Sequence, residues 1–150
     1  MAEKALIVYY SRSGNAEKLA KKLNEKFKYD MDKLEYAEKE RVSFIAAVME
    51  SLQKASLPIK GDNHSPDSYE RIIFVSPIWK SSLPTPIRSY MLKYKPQIKS
   101  YILLAVSGKV GFEGVLKDAA KIFGREPYAS AHYSSAQITK GAYTIDSLAL

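Results

Sequence analysis

No cysteine occurs in the 150 residues. Disulfides, thiolate metal sites and cysteine nucleophiles are therefore excluded. Histidine is nearly as scarce: His64 lies in a polar, loop-like stretch and His132 near the end of the chain. Neither has a visible nucleophile beside it, so hydrolytic catalysis of the nucleophile-and-base kind finds no support. Metal-ligand spacings are missing as well. No apolar run approaches the roughly 20 residues of a membrane helix. Residues 1–4 carry no signal-peptide pattern. A soluble cytoplasmic protein that does not engage a membrane is expected. There is no run of five like charges, no nucleic-acid-binding motif, no internal repeat and no linker.

What is present suits one globular domain over 1–150, with 46% hydrophobic residues, enough for a single core. Lysine and arginine number 23 against 16 acidic residues, a net charge of +7. Nucleic acid, anionic lipid or an acidic protein would each suit such a surface. Lys18, Lys21, Lys22 and Lys26, however, fall off an apolar stripe and interleave with Glu17 and Glu25, which marks a solvated helix face. No nucleic-acid partner is expected. The positive surface would steer towards an acidic partner, less so as salt rises.

The stretch that organises the chain is its beginning. Residues 5–10 are a short apolar run, read as a buried strand. They lead into Ser11, Arg12, Ser13, Gly14 and Asn15, all suited to a tight turn or helix start. Ala16, Leu19, Ala20, Leu23 and Phe27 then recur at helical spacing. Strand, small polar loop and helix N-terminus together make an anion site, because free N–H groups and the helix dipole face the loop. We read it as a phosphate cradle.

Further along, residues 32–37 alternate weakly, as in an edge strand. Val42, Ile45, Val48, Met49 and Leu52 mark a helix over 40–57, closed by Pro58, and 59–69 reads as a loop. Residues 71–76 form a central strand that runs into a loop over 77–84. Thr85 as N-cap and Pro86 then begin a helix whose face is Ile87, Tyr90, Met91 and Tyr94. Residues 101–106 are a fourth strand, broken at 107–111. A helix carrying Val115, Leu116, Ala119, Ile122 and Phe123 follows, stopped by Gly124. A last strand lies within 128–137, and the tail has room for a turn or two of helix. Strands alternating with helices predict right-handed crossovers and a parallel sheet covered on both faces. Ligands bind such sheets at the carboxyl ends of the strands.

The three loops found there resemble, in order, those of the flavodoxin family, over about residues 5–125. The resemblance implies a three-layer sandwich around a five-stranded parallel sheet of order 2-1-3-4-5, and flavin mononucleotide (FMN) as cofactor. On it, Ser11, Arg12, Ser13, Gly14, Asn15 and Ala16 would hold the phosphate. Pro77, Ile78, Trp79, Lys80, Ser81 and Ser82 would lie against the flavin ring, with the indole stacked on it. Ser107, Gly108, Lys109, Gly111 and Phe112 would offer backbone N–H groups to the ring's pyrimidine edge, while Phe112 and Tyr133 equally suit the core. No catalytic residue and no metal is implied.

Three departures from the family stand out. Ala16 occupies a place where threonine is usual, which removes one hydroxyl worth about 0.5–1.5 kcal/mol. The loop over 77–84 has no glycine, so a peptide there would turn over only at a cost in positive φ. Electron-carrying members are acidic and this chain is basic; Lys109 beside the flavin would favour a reduced, anionic ring. An electron carrier, a nicotinamide-dependent reductase of quinones or similar small acceptors, and a flavin-free binding module all remain readings, as monomer or dimer. A receiver domain would need an acidic pocket where Tyr10, Ser11 and Ser76 stand, and a dinucleotide fold would need G-x-G-x-x-G where Gly14 stands alone.

Overall fold

The computed structural model describes residues 3–37, 58–106 and 110–141. The helix expected over 40–57, residues 107–109 and the tail from 142 onward lie outside the described residues. In chain order the elements are strand β1 (Glu3–Tyr9), helix α1 (Asn15–Phe27), β2 (Asp30–Lys33), β3 (Glu35–Tyr36), β4 (Ile59–Lys60), β5 (Tyr69–Pro77), α2 (Thr85–Tyr94), β6 (Tyr101–Val106), α3 (Phe112–Phe123), β7 (Ala129–Tyr133) and α4 (Ser135–Lys140). Among the described residues no helix is long and apolar enough to cross a membrane.

β2, β1, β5, β6 and β7 pair side by side, all parallel, into one five-stranded sheet. Counted by these strands alone, the order is the expected 2-1-3-4-5. The central strands carry continuous apolar runs, at 5–9, 72–75 and 101–106, because both faces are covered there. Leu6, Val8, Ile72, Phe74, Tyr101 and Leu103 point to one face, where Ile87, Tyr90 and Met91 of α2 and Val115, Ala119 and Phe123 of α3 pack. Ile7, Tyr9, Ile73, Val75, Ile102 and Leu104 point to the other, against Ala16, Leu19, Ala20 and Leu23 of α1 and Ile138 of α4.

Three expectations need correction. The edge strand begins earlier, at Asp30, and breaks at Leu34. Its first half pairs with β1, and its second half pairs antiparallel with β4. The break comes where β1 runs out: the Leu34 N–H donates to the Tyr9 carbonyl at 2.8 Å, and β1 ends at that residue. The stretch over 59–69 is consequently not all loop; it also contains a 3-10 turn at Pro66–Ser68. The third helix is capped by Pro84, held extended, while Thr85 is already helical and buried. The last strand, Ala129–Tyr133, lies within the expected 128–137. Ser134 then caps α4, accepting from the Gln137 N–H while the Gln137 side chain accepts from the Ser134 N–H.

α2 and α3 are clamped by a pair the sequence did not advertise. Arg88 Nη2 lies 3.0 Å from Asp118 Oδ2, with side-chain exposures of 3% and 12%. The same carboxylate oxygen accepts from the Leu83 N–H at 3.1 Å, at the entrance to α2. One carboxylate therefore fixes the end of the loop over 77–84 against α3. Removing one member of a buried ion pair strands the charge of the other. Arg88→Ala should lower unfolding stability by about 3 kcal/mol, read as a shift in the denaturant midpoint at unchanged slope.

Candidate functional site

β1 delivers the chain to the carboxyl edge of the sheet. Tyr10 stays in register, its N–H donating to the Val75 carbonyl at 3.3 Å, and the chain then turns. The turn is closed by Ser11, whose Oγ accepts from the Gly14 N–H at 3.0 Å. Gly14 takes φ +99°, a conformation that L side chains rarely adopt, and is the N-cap residue of α1. A glycine cap leaves α1 without a side-chain cap, so the first N–H groups of the helix meet the loop without one. That suits an anion. Ala16, where a hydroxyl was missed, is buried among Leu19, Ala20 and Leu23, so its methyl group serves the core.

Glu17 stands in the first turn of α1, where a carboxylate would compete with a bound anion. It is neutralised. Lys33 Nζ lies 2.9 Å from Glu17 Oε1, and Lys21 lies 3.5 Å from Oε2. The hydrogen bond from Lys33 is the main reason the Glu17 carboxyl is held below its ordinary range, and the same bond raises the Lys33 ammonium.

β5 delivers the second loop beside the first, since Tyr9 pairs with Val75 in the register of β1 and β5. After Pro77 and Ile78 the chain reverses over four residues. The Trp79 N–H donates to the Ser82 carbonyl at 3.0 Å, and the Ser82 N–H donates back at 2.8 Å. Lys80 and Ser81, the two central residues, have φ +50° and +60°. That is a type I′ turn built without glycine. Trp79 meets Tyr10 edge-on, with centroids 5.7 Å apart at 79°. The Arg12 guanidinium lies over the indole, 5.6 Å from its centroid. One face of the expected stacking platform is therefore taken by a cation, and a planar ligand must use the other or displace the guanidinium. Burial pushes the Tyr10 phenol up, and Arg12 pulls it the other way.

The structure gathers part of the expected set. Arg12, Ser13, Pro77, Ile78 and Trp79 line a cavity of about 300 Å³. Arg12 also lines a second cavity of about 430 Å³, with Tyr10, Ser11, Lys33, Leu34, Glu35 and Tyr36. Lys80 and Ser81 stand at the surface, whereas Ser82 turns inward and is buried. Gly111 caps α3 and lies against Ile78 and Ser81, so the third loop touches the second. Phe112 leaves the cluster and stacks on His132 of β7, 5.5 Å away at 17°. Ser107, Gly108 and Lys109 lie outside the described residues. Among the described residues no group of three or more His, Asp or Glu is placed to hold a metal ion.

Two contributors went unread. Tyr10 looked like the last residue of a strand, yet it borders the second cavity and props the indole. Gly114 gave a usable signal: a glycine inside an otherwise apolar-periodic helix asks for a close neighbour.

The family model described as Flavodoxin matches residues 4–149. A flavoprotein from Lactobacillus acidophilus, crystallised in complex with FMN, superposes with a TM-score of 0.75 at 20% identity, covering 95% of this chain and 100% of that one. The apo-form of a flavoprotein from the same organism, solved by NMR, gives a TM-score of 0.69 at 20% identity over 93% and 97% of the two chains. An azoreductase from Bacillus anthracis gives 0.51 at 15% identity over 93% and 91%. No curated protein matches the chain.

Lys33→Ala should raise the titration of the Glu17 carboxyl towards its ordinary value, measured by NMR. Any stability that Glu17 supplies in the parent is present above the unfolded carboxyl pKa and is lost as pH falls through the lowered folded value. The variant should lose less on acidification.

Proposed function

The chain belongs to the flavodoxin family, and from that premise we propose that it binds FMN non-covalently and carries electrons through it between redox partners. The observation that carries this reading is the juxtaposition fixed by the β1–β5 register. The α1 N-terminus, which has no side-chain cap, stands beside a cavity floored by Pro77, Ile78 and Trp79. At about 300 Å³, the cavity lies at the lower end of the usual ligand range. When bound, FMN supplies reversible uptake of one or two electrons.

The protein's own residues divide the work by charge and shape. Ser11 holds its loop by accepting from Gly14, which leaves the hydroxyl hydrogen to donate outward. The backbone N–H groups of Asn15 and Ala16, at the uncapped start of α1, would hold the phosphate, and Arg12 would add a positive charge nearby. Lys33 offsets the negative charge of Glu17, which stands in the first turn of α1. Ile78 and Trp79 would cover the ring and exclude water. Gly111 would lie at the ring's polar edge.

The net charge of +7 favours a partner that presents carboxylates around its own redox centre. The chain would meet such a partner in the cytoplasm.

The phosphate cradle makes the reading testable by ligand choice. FMN added to the protein should quench the emission of Trp79, the only tryptophan in the sequence. Riboflavin has the same ring and no phosphate, and should bind at least about 100-fold more weakly, a difference of about 2.7 kcal/mol. Trp79→Ala should weaken FMN by about tenfold, the scale of one lost aromatic contact. Equal affinity for riboflavin and FMN would exclude the phosphate assignment.

A further inference from the structure

Glycine is, proline apart, the poorest helix former, yet Gly114 lies inside the first turn of α3. Space explains it. A Cβ at Gly114 would overlap the carbonyl oxygen of Ser81, and the carbonyl carbon and Cβ of Ser81 would lie 3.0 Å from it. At Gly111, one turn earlier, a Cβ would come within 2.9 Å of Ile78 Cγ2 and 3.0 Å of the Ser81 Cα and Oγ. Both glycines make room for the same residue.

That residue belongs to the strained turn. Lys80 and Ser81 both hold positive φ, where two-residue hairpins prefer Asn-Gly. Strain of this kind persists where the surroundings over-determine it. Turning the central peptide over would give a type II′ turn, whose first central position calls for glycine and here holds Lys80. The turn is left with one conformation, and α3 supplies its seat.

We propose that Gly114, together with Gly111, is a positioning residue of the flavin site, a role that rests on the FMN reading above. Their missing side chains let α3 seat the Ser81 carbonyl. The seat fixes the turn from Trp79 to Ser82, and through it aims the indole and Ile78 at the cavity beside Arg12. α3 and the ring-covering turn then move as one body.

The experiment is Gly114→Ala, with Gly124→Ala for comparison. Helix propensity alone predicts that Gly114→Ala raises the thermal midpoint; the seat predicts that it lowers it. The single tryptophan reports the turn before any flavin is added. In the apoprotein, Gly114→Ala should shift Trp79 emission to the red, increase its quenching by acrylamide, and raise the Kd for FMN by about tenfold or more. At Gly124 a Cβ meets nothing within 4 Å, although φ is +73°. Gly124→Ala should therefore lower the midpoint yet leave emission and Kd unchanged. Adding Ser81→Gly to Gly114→Ala lets the turn yield and should recover part of the affinity.

A raised midpoint with unchanged emission in Gly114→Ala would overturn the proposal. Should that variant fail to fold, Ser81→Gly alone decides: unchanged Trp79 emission means that the seat holds the turn, and a red shift means that the Ser81 side chain does. Failure of the parent protein to bind FMN would overturn the flavin assignment, while the emission readings would still decide the seat.

Discussion

The meeting of the first two loops depends on the pairing of β1 with β5. The two strands are parallel and in register from Glu3 opposite Tyr69 to Tyr9 opposite Val75. They reach the edge of the sheet together and release their loops side by side. Arg12 meets Trp79, and Tyr10 props the indole, only because neither strand leads the other. A slip of one residue would exchange the two faces of a strand that is apolar on both sides. Periodicity alone does not forbid that slip. What forbids it is the fit of unequal side chains: Leu6 and Val8 on the face of α2 and α3, Ile7 and Tyr9 on the face of α1.

The architecture was legible because continuous apolar runs alternate with amphipathic helices, which have few ways to bury both sheet faces. β6 keeps both of its expected ends, 101 and 106, whereas the ends of the edge strand depend on its partner. The segment from Asp30 to Tyr36 keeps one alternation throughout, yet it changes partner at Leu34 because β1 stops, a fact about another part of the chain. Thr85 carries the side chain of a helix cap, but Pro84 already supplies the extended entry. Arg88 and Asp118 lie 30 positions apart with nothing local to link them. Their pairing belongs to the packing of α2 on α3.

For the site, the sequence indicated loops better than side chains. Ser11 to Asn15 and Pro77 to Trp79 come together, because backbone conformation and strand topology suffice to place them. Ser82 turns inward to close a hairpin, and Phe112 finds the ring of His132. Each follows a local contact that loop position leaves undetermined. Trp79 is an instructive middle case. Its place was readable from its neighbours in the chain, while the cation over its face required Arg12, 67 positions away, to lean across from the other loop.

The buried pair of Arg88 and Asp118 also bears on how the molecule meets heat. Hydration of charged groups becomes less favourable as temperature rises, so keeping this pair away from water costs less when warm. The contribution of buried apolar area levels off over the same range. The clamp that joins the entrance of α2 to α3 therefore weakens more slowly than the core around it. On warming, the front of the sheet, where the loops converge, should be among the last parts to loosen.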